Sequence, residues 1–200
     1  MATGTAELSD GELIERARGG DREAFAVIYR RYHVGLYRFA RGMTGSLTMA
    51  EDATQEVFLT FMRQLDRYDP LRGTLSTYLY SIARNVVRYR LRKERRFVPL
   101  ELALSSEPIA TGDPAAAAMQ RQAVTRIRNI IRALSPRYRE VLILCDLQEM
   151  SYEQAAVVLN TRVGTVRSRL HRARHQLAER LNQTPRARLL CDQETWKSVI

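Results

Sequence analysis

The sequence predicts an all-α fold of two small helical domains joined by a flexible linker. Apolar residues recur at spacings of three and four between N-cap residues and helix-ending glycines, and no stretch alternates apolar and polar residues as a strand would. The segment Phe97 to Asp113 interrupts that periodicity with Pro99, Ser105, Ser106, Pro108 and Gly112, and reads as the linker. Residues 8–96 then form the first domain, 97–113 the linker, 114–181 the second domain and 182–200 an extension.

In chain order, Asp10 is expected to cap a short helix ending at the Gly19-Gly20 pair, and Asp21 a longer one stopping near Gly42. Phe25, Ile28, Tyr32, Leu36 and Phe39 give the second helix one buried face. A third helix, about Met49 to Leu65, stripes Ala50, Ala53, Val57, Phe61 and Leu65 on one side. It leaves Glu51, Asp52, Gln55 and Glu56 for a polar surface. After the turn Asp69-Pro70-Leu71-Arg72-Gly73 a fourth helix runs from about Thr74 to Arg95, with Leu79, Ile82 and Val86 in its core face. Beyond the linker, Asp113-Pro114 and Ser135-Pro136 each pair a capping residue with a first-turn proline. Ser151-Tyr152-Glu153-Gln154 is a capping box opening a short helix, and Asn160-Thr161 turns the chain into a basic helix from about Val163 to Leu181. Two helices, a short turn and an Arg-rich second helix make a helix-turn-helix pattern.

Of the 200 residues, 45% are hydrophobic and 27% charged, which suits packed domains rather than disorder. Thirty-two Lys and Arg against 22 Asp and Glu give a net charge of +10, so the expected partner is a polyanion. Only Lys93 and Lys197 are lysines; arginine, with its planar fork, supplies the rest. The excess is not uniform. Residues 1–66 carry net −2, 67–96 net +7, 97–113 net −3, 114–160 net +2, 161–181 net +5 and 182–200 net +1. Two separate cationic stretches suggest two contacts with nucleic acid.

No run of 18 apolar residues and no export signal in Met1 to Asp10 is present, so membrane insertion is not expected and a cytosolic location is. Cys145 and Cys191 lie 46 positions apart without a Cys-x-x-Cys or Cys/His cluster, and both are read as free thiols. His171 and His175 sit i, i+4, but arginines separate them and no carboxylate stands between, so no metal is expected there. No phosphate loop, nucleophile set or pocketed carboxylate pair argues for an enzyme or a cofactor.

The basic helix Val163 to Arg174 can seat Val166, Leu170, Ala173 and Leu177 on the preceding helices, leaving Arg167, Ser168, His171 and Arg172 outward. Arg pairs bidentately with guanine in the major groove, and Ser or His reaches base edges or phosphates. In the second cationic stretch Tyr68, Tyr78, Tyr80 and Tyr89 interleave with arginines from Arg67 to Arg96, a mixture suited to stacking and neutralising an unpaired strand. Tyrosines at helical spacing are also ordinary core residues, and Tyr78 in particular fits either place.

Four segments resemble the extracytoplasmic-function sigma factors of the bacterial sigma-70 family: the helix AEDATQEVFLTF (Ala50 to Phe61), TYLYSIARN (Thr77 to Asn85), LSPRYREVLIL (Leu134 to Leu144) and SYEQAAVVLNTRVGTVRSRLHRAR (Ser151 to Arg174). The resemblance spans about residues 8–181 in the family's order. It implies a non-enzymatic initiation factor whose first domain corresponds to region 2 and second to region 4. On that resemblance Glu51, Asp52, Gln55 and Glu56 would dock on the β′ clamp helices of core RNA polymerase. Arg67, Tyr68, Arg72, Tyr78, Arg84, Asn85 and Arg88 would capture the opened −10 element of promoter DNA. Arg162, Thr165, Arg167, Ser168, His171, Arg172 and Arg174 would read the −35 duplex, with region 4 also meeting the β flap. An anti-sigma factor is implied as regulator. The chain departs from many members in having Leu75 and Tyr78 where Phe and Trp are common, and Arg162 where the turn often holds proline. A dimeric helix-turn-helix repressor or activator is the competing expectation; it leaves the acidic helix and the Tyr-rich stretch without a task.

Overall fold

The computed structural model describes residues 8–97 and 124–182. These residues form helices α1 (Asp10–Arg18), α2 (Arg22–Thr44), α3 (Leu47–Arg63), α4 (Leu75–Phe97), α5 (124–132), α6 (Pro136–Leu142), α7 (Tyr152–Leu159) and α8 (Val163–Asn182), with no strand among them. The expected linker, the Asp113-Pro114 start, Cys191 and the extension lie outside the described residues.

Local capping explains most boundaries. Ser9, not Asp10, caps α1: its hydroxyl accepts from the Glu12 N–H at 3.3 Å while the Glu12 carboxylate accepts from the Ser9 N–H at 2.8 Å. Asp10 instead uses its carboxylate on α2, accepting from Arg31 at 2.5 Å and from the Tyr32 hydroxyl. Asp21 caps α2 through the Glu23 and Ala24 N–H groups. α2 runs past Gly42 to Thr44, because Gly45, at φ 75°, is the residue that takes the left-handed C-cap. Ser46 starts α3 two residues earlier than the periodicity suggested, and Leu65 falls in a 3₁₀ turn after the helix while still packing inward.

In the first domain α2 lies against α1, α3 and α4. Leu13, Ile14, Ile28, Leu36, Phe39, Met43, Phe61, Leu75 and Leu79 fill its core. Arg18 reaches from α1 to the Tyr68 carbonyl at 2.6 Å and the Leu65 carbonyl at 3.2 Å, tying down the loop that precedes α4.

In the second domain α6 ends in a π-helical turn, Ile143–Leu147, before Glu149 at φ 54° reverses the chain. The Ser151–Gln154 capping box then opens α7, both reciprocal bonds being made, at 3.2 and 2.9 Å. Asn160, left-handed at φ 47°, ends α7, and the Arg162 carbonyl accepts from Thr165 and Val166 as α8 begins. Val166, Leu170, Ala173 and Leu177 are buried against α6 and α7, as the helix-turn-helix pattern predicts.

No periodicity or motif pointed to the seam between the two domains, where α4 packs on α7 and α2 meets α6. The Tyr80 hydroxyl donates to Gln148 Oε1 at 2.6 Å. Tyr80 is buried edge-on against Phe39, and burial raises its phenol pKa well above the ordinary value. Gly35 makes room for this bond: a Cβ there would stand 2.6 Å from the Tyr80 hydroxyl and 3.3 Å from Gln148 Oε1. Arg139 donates to the Met43 carbonyl at 2.6 Å from the other side of the seam.

Leu170→Ala should lower unfolding stability by about 2–5 kcal/mol, whereas Val157→Ala, at an exposed site on α7, should stay within about 0.5 kcal/mol. Urea denaturation of the two variants checks the burial of the helix-turn-helix; equal losses would mean the inner and outer faces are misassigned.

Candidate nucleic-acid interface

On α8 the residues Arg167, Ser168, His171 and Arg172 stand exposed on one side, opposite the buried row. Thr165 is half-buried, Arg162 is exposed at the turn, and the Ser168 hydroxyl donates back to the Thr165 carbonyl at 3.1 Å. Gly164 has open space around it, so the α8 N-terminus is accessible to a ligand. The Arg167 guanidinium lies 5.7 Å from the centroid of the Tyr152 ring, which orients it without neutralising it.

Arg174 is placed differently from its neighbours. Its Nε and Nη2 donate to Asp146 Oδ2 and Oδ1 at 3.0 and 2.6 Å, a bidentate pair with the π-helical turn. Those bonds hold the Arg174 pKa above its ordinary value. Its fork is therefore engaged inside the domain rather than offered outward. Beside it Cys145 is half-buried; burial first, then the Asp146 charge, push its thiol up to about 11, against the pull of Arg174. It is a free but unreactive thiol.

The second cationic surface is a loop on a helix. Asp69 closes a 3₁₀ turn, Pro70–Arg72, by accepting from the Leu71 N–H at 2.9 Å, and pairs with Arg72 at 3.4 Å. This lifts Leu71 to 94% exposure at the tip, flanked by the exposed Arg67 and Arg72. Leu71 was not among the expected contacts, although its central place in the D-P-x-R-G turn was the signal for it. Gly73, at φ 151°, ends the turn where a Cβ would meet Thr77 Oγ1 at 2.9 Å.

The tyrosines do not form the exposed platform that the composition suggested. Tyr68 is buried and donates to the Gly73 carbonyl at 3.2 Å; Tyr78 is half-buried, 5.4 Å from the Tyr68 ring and 6.2 Å from Phe61. Burial raises both phenols. They make the floor beneath the loop, Tyr80 lies in the seam, and Tyr89 alone of the four is largely exposed. Asn85 is exposed and Arg88 half-exposed, whereas Arg84 is mostly covered: its Nε donates to Glu140 Oε2 of α6 at 3.2 Å, with Arg88 Nε 3.8 Å from Oε1.

The acidic face of α3 is present as expected, with Glu51, Asp52 and Gln55 exposed and Glu56 half-exposed. Arg90 of α4 bridges two of its carboxylates, donating to Glu56 Oε2 at 2.8 Å and to Asp52 Oδ2 at 3.2 Å. Leu59 and Met62 continue the same face as half-exposed apolar residues that charge-based reading overlooked. Among the described residues no group of three His, Cys, Asp or Glu side chains could hold a metal, and His175 pairs with Glu179 at 3.5 Å.

Comparison with known proteins matches the chain to two family models, Sigma-70 region 2 over residues 28–97 and Sigma-70, region 4 over residues 125–177. The ECF RNA polymerase sigma factor SigW of Bacillus subtilis is 32% identical over 184 residues, 88% of this chain and 98% of its own. Among solved structures, CnrH in complex with the cytosolic domain of CnrY superposes with a TM-score of 0.68 at 27% identity, covering 88% of this chain and 98% of that one. The sigma factor RpoE in complex with the anti-sigma factor NepR from Bartonella quintana gives 0.62 at 25% identity, covering 80% and 98%.

Because Arg174 is tied to Asp146, Arg174→Ala should cost roughly 1 kcal/mol of stability, and Arg172→Ala, whose guanidinium is exposed, should cost almost none. Thermal melting of the two variants side by side is the check. Equal midpoints would show that the Asp146 pair is not formed in solution.

Proposed function

The chain belongs to the sigma-70 family as an extracytoplasmic-function sigma factor, a transcription initiation factor rather than an enzyme, and from that premise we propose how its surfaces divide the work. Residues 8–96 act as region 2, 97–113 as the connecting linker and 114–181 as region 4. The α3 face of Glu51, Asp52, Gln55 and Glu56, extended by Leu59 and Met62, docks on the clamp helices of the β′ subunit of core RNA polymerase. Region 4 meets the β flap, and the complex works in the cytoplasm, where promoter DNA and polymerase are.

α8 lies in the major groove of the −35 element. Arg167 and Arg172 supply forks that pair with guanine edges, Ser168 and His171 reach neighbouring edges or phosphates, and Arg162 and Thr165 grip the backbone at the helix start. Arg174 serves that surface from behind, by fixing α8 on the π-helical turn. In region 2 the loop presenting Leu71 between Arg67 and Arg72 holds the opened −10 strand, with Tyr68 and Tyr78 as its floor and Arg84, Asn85 and Arg88 along the adjoining helix. Unstacking a base costs a few kcal/mol, so capturing the exposed strand biases the duplex open without nucleotide hydrolysis. The observation that carries this reading is the placement of two cationic surfaces on separate domains, beside an acidic docking face. A dimeric repressor would need only the first of the two.

Two of the solved neighbours are complexes, RpoE with the anti-sigma factor NepR and CnrH with the cytosolic domain of CnrY. An anti-sigma factor acting on this chain would cover the α3 face or the reading helix.

The purified protein, mixed with core polymerase and genomic promoter fragments, should bind core and direct new transcription start sites. A protein that shifts duplex DNA alone yet neither binds core nor redirects it would defeat the proposal. Arg172→Ala should weaken −35 binding by about 1–3 kcal/mol while leaving core affinity unchanged; an equal loss on scrambled −35 sequences would assign the residue to phosphate instead. Reversing the charges at Asp52 and Glu56 together should lower core affinity about tenfold, read by fluorescence anisotropy, and an unchanged affinity would move the docking surface elsewhere.

A further inference from the structure

The loop that presents Leu71 hangs from two points, and both belong to Tyr68. At the exit of the tip the Tyr68 hydroxyl donates to the Gly73 carbonyl at 3.2 Å. At the entrance the Tyr68 carbonyl, which lies between the 3₁₀ turns Leu65–Arg67 and Pro70–Arg72 and belongs to neither, accepts from Arg18 Nη2 at 2.6 Å. The same nitrogen donates to the Leu65 carbonyl at 3.2 Å, and Glu15, one turn back on α1, holds Nη1 at 2.6 Å, so the plane of the guanidinium is fixed. α1 is in turn fastened to α2: Asp10 accepts from Arg31 at 2.5 Å and from the Tyr32 hydroxyl, and Leu13 and Ile14 are buried. We propose that Arg18 is a positioning residue for capture of the −10 strand: from α1, a helix outside the four segments that carry the family resemblance, it holds the Tyr68 backbone so that Leu71 stands ready between Arg67 and Arg72. The inference rests on the −10 assignment made above and extends it to a residue that acts through Tyr68 rather than on DNA.

Three features separate this role from ordinary packing. Pro70, Leu71 and Arg72 are exposed, and the turn is closed by Asp69, whose carboxylate and carbonyl accept from the Leu71 and Arg72 N–H groups at 2.9 and 3.1 Å. Those bonds set the shape of the tip; its direction comes from the anchors on either side. Arg18 suits an anchor because Nη2 carries two hydrogens in a rigid plane, one for each carbonyl, where an ammonium on a flexible stem would leave the chain free to turn. The buried Arg18 Nε, finally, has no hydrogen-bond partner among the described residues, a cost that a contact serving stability alone would avoid. Direction governs affinity because a loop already in its bound shape needs no ordering on contact. A loop that holds that shape a tenth of the time binds about tenfold more weakly.

Arg18→Met keeps the apolar stem and removes the donors. In holoenzyme assembled from the full chain it should lower affinity for a fluorescent single strand spanning the −10 region of a mapped promoter about tenfold, while affinity for core polymerase and for −35 duplex stays as in the parent. Arg18→Lys, able to serve one carbonyl, should fall between the two and serves if the first variant folds poorly. With Leu71→Ala already in place, Arg18→Met should cost about twofold at most, since the side chain it aims is gone. Unchanged strand affinity in both Arg18 variants would overturn the proposal, as would a full tenfold loss in the Leu71→Ala background. An equal loss of core or −35 affinity would also overturn it, by making Arg18 a support of the fold at large. If the parent holoenzyme does not hold the strand, or Leu71→Ala holds it as well as the parent, the −10 assignment is what falls. Amide exchange in the free protein then decides the hold by itself: Arg18→Met speeds exchange at Leu71 and Arg72 if Arg18 sets the loop, and leaves it unchanged if it does not.

Discussion

Much of the assembly turns on one guanidinium. Arg139 donates to the carbonyls of Arg132 and Leu134, left unsatisfied where α5 ends, and to the Met43 carbonyl in the last turn of α2. Terminal carbonyls of a helix have no partner within it, and burying one unpaired costs about 1–3 kcal/mol. A single side chain thus closes helix ends in both domains, and that sets where α6 sits relative to α2. Once α6 is there, Glu140 faces α4 and Gln148 faces Tyr80, so the seam is a consequence of how helix ends are satisfied as much as of apolar contact.

The local grammar of the fold was legible because its causes are local. Asp21, the Gly19-Gly20 pair, the Ser151–Gln154 box and Asn160 all do what their residue types do at helix ends, within four positions of the groups they satisfy. Of the two misplaced caps, Gly42 and Asp10, the second is instructive. Ser9 and Asp10 are both good capping residues, and Glu12, three after Ser9, was the discriminating feature; it frees Asp10 to bind Arg31 and Tyr32, 21 and 22 positions away. The seam was illegible for the opposite reason. Arg84 and Glu140 are 56 residues apart, and Tyr80 and Gln148 are 68 apart, so no periodicity or capping pattern links them. The tyrosines of the second cationic stretch were ambiguous in principle, since the same spacing serves a core face and a stacking face, and burial resolved three of four to the interior.

Charge counted along the chain also means less than it first suggests. The two cationic stretches hold net +7 and +5 by sequence, but each has already committed part of that charge. Arg84 is bound to Glu140, Arg90 to Asp52 and Glu56, and Arg174 to Asp146. What remains outward and unpaired is a smaller set: Arg67, Arg92 and Lys93 in one domain, Arg162, Arg167 and Arg172 in the other. Formal charge locates a nucleic-acid surface, while pairing decides which of its cations are available. The sigma-factor reading survives this reduction because the cations left outward still lie on two separate faces.

Gly35 sits in the interior of α2, where an alanine would favour the helix by roughly 0.5–1 kcal/mol. That cost is offset within the first domain itself, because a Cβ at position 35 would stand 2.6 Å from the hydroxyl of Tyr80 on α4; Gln148 of the second domain, 3.3 Å away, shares the same space. The gap in α2 lets a buried phenol turn its hydroxyl toward the neighbouring domain, so a local weakness of one helix serves a bond in which that helix takes no part.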